Sequence, residues 1–457
     1  MKKLLLMILV VLSTTGYAGI PHPAKYQWGF LEVPENYSYP RTQKLKIYWE
    51  KLKSSSRTPE AIVLINGGPG MSHESFHQAT ANGFKHDWFE PLRTHYDIYY
   101  FDQRGTGNSS PLEYINIIGR NYRTYGSADI CRDIDELRKN VIKKKKIAVL
   151  GESYGGMVAL RYATMFPDSV AKLIIHDSSP SNAYFTQMHI NFSNGLTNLD
   201  KIFPGVRQNM ITSVSMFDNG QVTNAYGYSL TGNDFLTLCL PYTYTFQGQY
   251  IMALMAAQIV AEGRSDILDA ILRPASSLKR NAKASYSSLP AILALVQTIE
   301  MLDAAAANSA PDSAPWSKAW AMERILQPRI DFRYDFSLDF FSGYNVINEL
   351  GKIKAPTLII VGETDFICPP AYAATMKSGI PNSRLLTVKN AAHGGFVEQH
   401  EYVLGKIRSF LLDLLPMEEP DVSTLQPGVS PERAIRVWVD GAARSGITVE
   451  FIKDKAE

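Results

Sequence analysis

A serine in this 457-residue chain lies in a sequence pattern that suits nucleophilic catalysis. Ser153 is the centre of Gly-Glu-Ser-Tyr-Gly at 151–155, after the apolar run 147–150 and before a helical pattern at 157–163. A strand, a tight turn and a helix in this order form a nucleophile elbow, which exposes the serine hydroxyl. The helix N-terminus that follows favours negative charge. The pattern predicts that Ser153 is a catalytic nucleophile.

A serine hydroxyl reacts at neutral pH only if a base takes its proton and an acid orients that base. In this kind of sheet the acid and then the histidine follow the serine in the chain, each just past a strand. Asp365 follows one apolar run, and His393 follows the next. We therefore predict a triad of Ser153, Asp365 and His393.

Two residues compete with these assignments. Glu363 is an alternative to Asp365, because it lies nearer the end of the strand. His176 also follows an apolar strand, but it precedes the acid, so the order is wrong for a catalytic base. We expect a structural role for His176.

An acyl-transfer site also needs donors for the oxyanion of its tetrahedral intermediate. The backbone N–H of Tyr154, directly after the nucleophile, is one candidate. The other is Gly68 in the glycine-rich turn at 66–70, where the backbone can approach a ligand closely. A plain turn is the alternative interpretation of this motif.

Apolar runs alternate with helical patterns around these residues, which indicates a mostly parallel α/β sheet with helices on both faces. The alternation lapses between about residues 181 and 345 and then resumes. We expect a mainly helical cap in this interval. The predicted parts are a core at 26–180 and 346–415, the cap at 181–345, and a linker with a C-terminal extension at 416–457.

The N-terminus has the pattern of a secretory signal peptide. Lys2 and Lys3 precede the apolar residues 4–12, and Gly-Tyr-Ala at 16–18 suits cleavage. An apolar run of this length is too short to span a bilayer, which takes about 20 residues. We expect removal of residues 1–18, export to the periplasm or beyond, and no stable membrane insertion.

Composition narrows the function classes further. The net charge of +2 gives no reason to expect a nucleic-acid partner. The three cysteines allow at most one disulfide, and their spacing matches no metal site. Because the predicted nucleophile belongs to the chain, we expect neither a metal nor an organic cofactor. Nothing in the sequence indicates an oligomeric state.

Several motifs together resemble those of proline iminopeptidases. They are Asn-Gly-Gly-Pro-Gly at 66–70, Asp-Gln-Arg-Gly-Thr-Gly at 102–107, the elbow, Gly-Glu-Thr-Asp-Phe-Ile-Cys-Pro-Pro at 362–370 and the His393 loop. The segment 31–37 is similar to the related secreted tripeptidyl aminopeptidases. The resemblance implies an α/β-hydrolase fold with a helical cap and a serine exopeptidase that acts at the N-termini of short peptides. It also implies the triad named above.

The resemblance has implications for other residues. The family binds the free amino group of its substrate with cap glutamates, and Glu323 lies in a similar Trp-containing segment with a different spacing. Asp234, Glu262 and Glu300 are further acids of the predicted cap. Cys368 matches a cysteine beside the family's catalytic acid, and we expect it to pack. We expect Asp102 and Arg104 to brace the loop under the site.

The chain also resembles serine carboxypeptidases in the glycine turn and in Gly-Glu-Ser-Tyr-Gly. In those enzymes an Asn and a Glu hold the C-terminal carboxylate, which here implies Asn66 and Glu152. Met71 replaces the cysteine expected after the glycine turn. The other interpretation of Glu152 is an elbow residue bonded to nearby backbone.

These observations predict an exported serine aminopeptidase that releases one or three residues, with or without a preference for proline. A carboxylic-ester hydrolase and a carboxypeptidase-like exopeptidase are alternatives that use the same triad. A catalytically silent binding protein is the alternative without enzymatic activity.

Overall fold

The computed structural model describes residues 26–41, 43–68, 71–79, 85–110, 122–181, 188–278, 345–414 and 421–422. The predicted signal peptide lies outside these residues. Glu300 and Glu323 of the predicted cap do so as well, and so does nearly all of the predicted C-terminal extension.

Within the described residues, nine strands form one sheet in the order β1-β2-β6-β3-β7-β8-β9-β10-β11. They are β1 (Tyr26–Pro34), β2 (Lys44–Leu52), β3 (Glu60–Ile65), β6 (Tyr96–Phe101), β7 (Ile147–Glu152), β8 (Val170–His176), β9 (Thr357–Gly362), β10 (Ser383–Val388) and β11 (Asp421–Val422). The short strands β4 (His77–Ala79) and β5 (Lys85–Asp87) pair separately.

The sheet is mostly parallel. Strand β2 pairs antiparallel with both β1 and β6, whereas every pairing from β6 to β11 is parallel. The described helices are α1 (Ser127–Leu137), α2 (Tyr154–Met165), α3 (Met188–Leu199), α4 (Val206–Asp218), α5 (Gly232–Cys239), α6 (Phe246–Glu262), α7 (Asp266–Leu278), α8 (Pro370–Gly379), α9 (Gly395–Glu398) and α10 (His400–Leu411). The predicted α/β architecture is confirmed.

The central strands are apolar throughout because both faces of the sheet are covered. In β3, Val63 faces the core that contains α1, α2 and α8, and Leu64 faces the core that contains α10. Successive side chains of a strand point to opposite faces, so alternate residues of β7 and β8 follow the same division. The carboxyl ends of these strands meet at one edge of the sheet.

Helices α3 to α7 belong to the predicted cap and share a third hydrophobic core. The chain segments before and after the cap lie side by side, since Ser181 and Asn345 form an antiparallel bridge. The Val346 N–H also donates to the Pro180 carbonyl at 3.1 Å. A search of the described helices finds none with the length and apolar character needed to cross a membrane.

Candidate active site

Ser153 lies between the end of β7 and the start of α2. Its backbone has φ 54° and ψ −121°, a conformation that is strained for a residue with a side chain. The Ser153 N–H donates to the His176 carbonyl at 2.9 Å, and the Ser178 hydroxyl donates to the Ser153 carbonyl at 2.7 Å. These bonds to the neighbouring strand and the loop after it hold the serine at the sheet edge.

The two glycines of the elbow are required by close backbone contacts. A Cβ on Gly151 would lie 2.2 Å from the Gly155 carbonyl oxygen. A Cβ on Gly155 would lie 2.1 Å from the Ile65 carbonyl oxygen of β3. Both separations are far inside van der Waals contact, so the sharp turn predicted for this motif depends on residues without side chains.

The predicted triad residues form one chain of hydrogen bonds. The His393 Nε2 lies 2.9 Å from the Ser153 Oγ, and the His393 Nδ1 lies 2.8 Å from the Asp365 Oδ2. The other oxygen of Asp365 accepts the backbone N–H groups of Ile367 at 2.7 Å and Cys368 at 2.9 Å. This arrangement places a base on the hydroxyl and fixes the carboxylate that orients the base.

The electrostatic surroundings suit this base. Burial lowers the pKa of His393, but Asp365 and then Glu152 raise it, and the net result is a pKa above the ordinary value. A positive charge on the imidazole is therefore stabilised, as proton transfer from the serine requires.

Neither of the two competing residues occupies a position in the triad. Burial, with a contribution from His393, lowers the pKa of His176 to about 3, and the His176 ring packs edge-on against Phe396. The Glu363 carboxylate accepts the Asn390 N–H at 3.2 Å. Glu363 therefore braces the turn before the histidine, while Asp365 occupies the position beside the imidazole.

Asp177 is a buried acid next to the triad that the sequence analysis did not name. Its carboxylate accepts the Gly362 N–H at 2.8 Å. One ligand atom each from Asp177, Asp365 and His393 lies within 4.8 Å of the others. Because Asp365 and His393 are already joined in the triad, we assign this cluster to the triad and not to a metal site.

The glycine-rich turn after β3 passes beside the nucleophile. A Cβ on Gly67 would lie 3.0 Å from the Ser153 Cβ and 3.6 Å from its Oγ. Gly68 has φ 108°, a backbone conformation that favours glycine. Tyr154 is the first residue of α2. Both proposed oxyanion donors therefore belong to segments that adjoin Ser153, and their role stays a prediction.

The residues that the carboxypeptidase resemblance implied lie in different environments. Asn66 is buried and donates its side-chain amide to the Ser72 carbonyl, so it holds the glycine turn, and its role in substrate binding stays a prediction. The Glu152 side chain is 30% exposed, and its carboxylate lies 4.0 Å from His176 Nδ1. Burial raises the pKa of Glu152, and His393 lowers it. Among the described residues, no hydrogen bond to backbone involves this carboxylate.

The loop after β6 braces the site, as expected. Asp102 accepts the N–H groups of His73 and Asn108, both at 2.7 Å. Arg104 makes a two-pronged ion pair with Asp133, at 2.7 and 2.6 Å. Such paired, buried charges fix loop geometry and are unsuited to substrate contact.

Two predicted cap acids and Cys368, the cysteine near the catalytic Asp365, have surface or packing positions. Asp234 accepts hydrogen bonds from Thr231 just before α5, and the exposed Glu262 pairs with Arg264 at 3.3 Å. Cys368 is a buried free thiol, and burial raises its pKa well above the ordinary value. The packing role expected for Cys368 fits this environment.

No sequence motif pointed to the contacts that the cap makes with the catalytic loops. The Tyr244 ring lies edge-on to the His393 ring, with 5.4 Å between centroids. Phe366, directly after the catalytic acid, belongs to the hydrophobic core of the cap. Phe366 itself, a large aromatic residue directly after the predicted acid, is the one feature of the sequence that could have indicated contact with the cap.

Comparisons with known proteins agree with this architecture. A sequence profile of the alpha/beta hydrolase fold matches residues 60–220 and 276–399. The proline iminopeptidase PfmaB of Pestalotiopsis fici is 23% identical over 362 aligned residues, and the match covers 77% of this chain and 91% of that protein. The tripeptidyl aminopeptidase of Streptomyces lividans is 24% identical over 192 aligned residues, and the match covers 34% of this chain and 35% of that protein.

The proline iminopeptidase of Aeromonas sobria is 26% identical over 157 aligned residues, and the match covers 32% of this chain and 36% of that protein. For these two shorter matches the chain therefore spans about a third of the relative. Among solved structures, the proline iminopeptidase of Mycobacterium smegmatis superposes with a TM-score of 0.44 at 15% identity, covering 84% of this chain and 98% of that one.

Proposed function

We propose that this member of the alpha/beta hydrolase fold family is an exported serine aminopeptidase. Its triad would cleave short peptides near a free N-terminus. The observation that carries the proposal is the unbroken hydrogen-bond chain from Ser153 through His393 to Asp365. The similarity to proteins named proline iminopeptidase and tripeptidyl aminopeptidase supports a peptidase.

The geometry suggests how the reaction would proceed. The Ser153 Oγ attacks the scissile carbonyl carbon while His393 Nε2 takes the hydroxyl proton. Asp365 holds the imidazole in the required tautomer and stabilises its positive charge. His393 then gives the proton to the leaving amine, and water hydrolyses the acyl-enzyme by the same route. The N–H groups of Tyr154 and Gly68 are the proposed oxyanion donors.

Glu152 supports the choice of a free amino terminus. Its partly exposed carboxylate adjoins the nucleophile and makes no hydrogen bond within the described part of the chain. When ionised, such a group attracts an ammonium and repels a carboxylate. Asn66 donates its side-chain amide to the Ser72 carbonyl and so also serves to hold the glycine turn. Glu152 therefore favours an aminopeptidase over a carboxypeptidase-like enzyme.

A substrate panel tests this proposal. We expect the mature chain to hydrolyse free-amine aminoacyl and tripeptidyl anilides, including proline derivatives, faster than their N-acetylated forms. Preference for N-blocked peptides with a free C-terminus would instead identify a carboxypeptidase. Activity on simple esters alone would identify an ester hydrolase. Failure to react with a fluorophosphonate probe would indicate a binding protein.

Two variants of the site, each with a control, show which residues are responsible for the activities in the substrate panel. Ser153→Ala should lose hydrolysis and probe labelling, while Ser378→Ala, an exposed serine on α8, should keep both. Glu152→Gln should lower kcat/KM for free-amine substrates about tenfold or more, because a hydrogen bond to a charged group contributes about 1.5–3 kcal/mol. The same variant should leave a small ester substrate within a few-fold of its original rate, and Glu349→Gln, at a half-buried position outside the site, should match the unmodified enzyme.

Export is part of the proposal and rests on the N-terminal pattern. The full chain expressed in a Gram-negative host should be recovered outside the cytoplasm with Gly19 as its first residue. Recovery of the uncleaved chain in the cytoplasm would contradict export and leave the catalytic proposal intact.

A further inference from the structure

The first turn of the cap helix α6 is bonded to the loop that carries the catalytic histidine. The Gly394 N–H, directly after His393, donates to the Tyr244 carbonyl at 2.8 Å. Thr245 is the N-cap of α6, and its side chain accepts the Gly248 N–H at 3.0 Å. The end of the cap helix is thus ordered where it meets the histidine loop.

A single carboxylate strengthens this junction. The Glu398 Oε1 accepts the Phe246 N–H at 2.7 Å, and its Oε2 accepts the Ala392 N–H at 2.9 Å. The backbone N–H of Gln247 also helps to lower the pKa of this carboxylate. Ala392 immediately precedes His393, so Glu398 joins the N-terminus of α6 to the backbone of the catalytic histidine. Negative charge at a helix N-terminus is stabilising.

The same turn of the cap also contacts the acid loop. The buried Gln249 donates its side-chain amide to the Thr364 carbonyl at 2.7 Å and to the Thr243 carbonyl at 3.0 Å. Thr364 immediately precedes Asp365. The cap therefore contacts the residue before Asp365 and the residue after His393, from positions only a few residues apart.

We propose that Glu398 is a positioning residue: its ionised carboxylate clamps the histidine loop to the cap helix and so keeps His393 Nε2 within hydrogen-bond reach of Ser153. This proposal rests on the proposed function, since it concerns the same triad. The carboxylate needs both oxygens as acceptors. Protonation would turn one of them into a hydroxyl donor that faces a backbone N–H, and the clamp would weaken.

The surroundings of Glu398 place its ionisation in the working range of an enzyme. Burial raises the pKa of Glu398 to about 7, although the backbone N–H groups lower it and Asp365 adds a smaller increase. On the cap side the titratable neighbour is Tyr244, whose pKa burial raises to about 12, so it stays neutral. On its own loop the titratable neighbour is His393.

Two groups must therefore lose a proton for full activity, namely His393 and Glu398. In the wild-type enzyme the logarithm of the fluorophosphonate labelling rate should fall with a slope of one below the pKa of His393, and it should show one further drop of about tenfold where Glu398 is protonated, because protonation weakens the clamp without abolishing it. Glu398→Gln should lack this further drop and should have a plateau rate about tenfold lower at alkaline pH. Glu401→Gln removes an exposed acid three residues further on and should behave as wild type.

The outcomes separate the two proposals. An unreactive wild-type enzyme overturns the proposed function itself. A reactive wild type whose labelling rate follows a single ionisation, or a Glu398→Gln variant that keeps the wild-type profile and plateau, overturns the clamp alone. If Glu398→Gln fails to fold, the presence or absence of the second step in the wild-type profile still decides. Tryptophan fluorescence at each pH must show that the protein remains folded.

Discussion

The ring of Phe366 lies in the cap core against Phe192, although Phe366 directly follows the catalytic acid Asp365. The two rings meet edge-on with 5.5 Å between centroids. A Cβ on Gly195 of α3 would lie 2.5 Å from the Phe366 ring, so the helix fits closely around it. The acid loop is therefore held by the cap as well as by the sheet.

Phe366→Ala should weaken both stability and catalysis. Loss of a buried phenylalanine lowers the free energy of unfolding by about 3–5 kcal/mol. Because the acid loop also loses its anchor, we expect kcat to fall as well. Urea unfolding and kcat with a free-amine anilide measure the two effects.

The matched control is Phe217→Ala, which removes a ring stacked on Phe235 in the same core, 4.9 Å between centroids. This variant should lose similar stability with little change in kcat when assayed under folding conditions. Equal losses of kcat in the two variants would show that the cap acts on the triad only through overall stability.

Asp365→Asn and Glu363→Gln should differ sharply in their effects on kcat. Asparagine in place of the carboxylate favours the wrong imidazole tautomer, and we expect kcat to fall about 10⁴-fold. Glu363 accepts one backbone N–H from the turn before the histidine, so its replacement should change kcat only a few-fold. Rate measurements on the two purified variants decide this. Similar losses of kcat would mean that the two residues share the role of the acid that orients the histidine.

Glu152→Gln should shift the pH dependence of catalysis. Burial lowers the pKa of His393, whereas Asp365 and Glu152 raise it. Removing the charge of Glu152 should lower that pKa. His393 would then stay neutral at more acidic pH, and the acidic limb of kcat/KM should move to lower pH. The profile is measured with an uncharged ester so that amine binding does not contribute, and an unchanged midpoint would argue against the electrostatic contact.

Two glycine-to-alanine variants should have opposite effects on stability. Gly155→Ala places a methyl group 2.1 Å from the Ile65 carbonyl, which must distort the elbow and reduce labelling by a fluorophosphonate. Gly405 lies exposed in α10 with nothing within 4 Å of an added Cβ. Gly405→Ala should stabilise the fold by about 0.5–1 kcal/mol, because alanine is the better helix former. Thermal unfolding of both variants provides the measurement.

The sequence was sufficient for the parts of the site that local patterns describe. The elbow, the apolar strands and the order serine, acid, histidine follow from short motifs, and the fold and the family resemblance are confirmed. The structure also brings Ser153, Asp365 and His393 together. These predictions succeeded because the fold places the ends of parallel strands at one edge.

The contacts of the cap could not be predicted in the same way. Glu398 bonds to Phe246 across 152 positions of the chain, and Gln249 bonds to the residue before Asp365 across 115. No periodic pattern marks such pairs, because they depend on how separate helices pack. Asn66 shows the limit of a local motif. The family resemblance implied contact with substrate, whereas the structure shows a hydrogen bond from its amide to the Ser72 carbonyl.

The bridge between Ser181 and Asn345 brings together the described ends of the cap insertion. A graft between homologues could exchange the segment between these two residues while leaving the order of the sheet untouched. Such a chimaera would still need compatible partners for Phe366 and Glu398, which remain with the recipient. We therefore expect that a functional exchange of caps requires matching changes in the loops that carry Phe366 and Glu398.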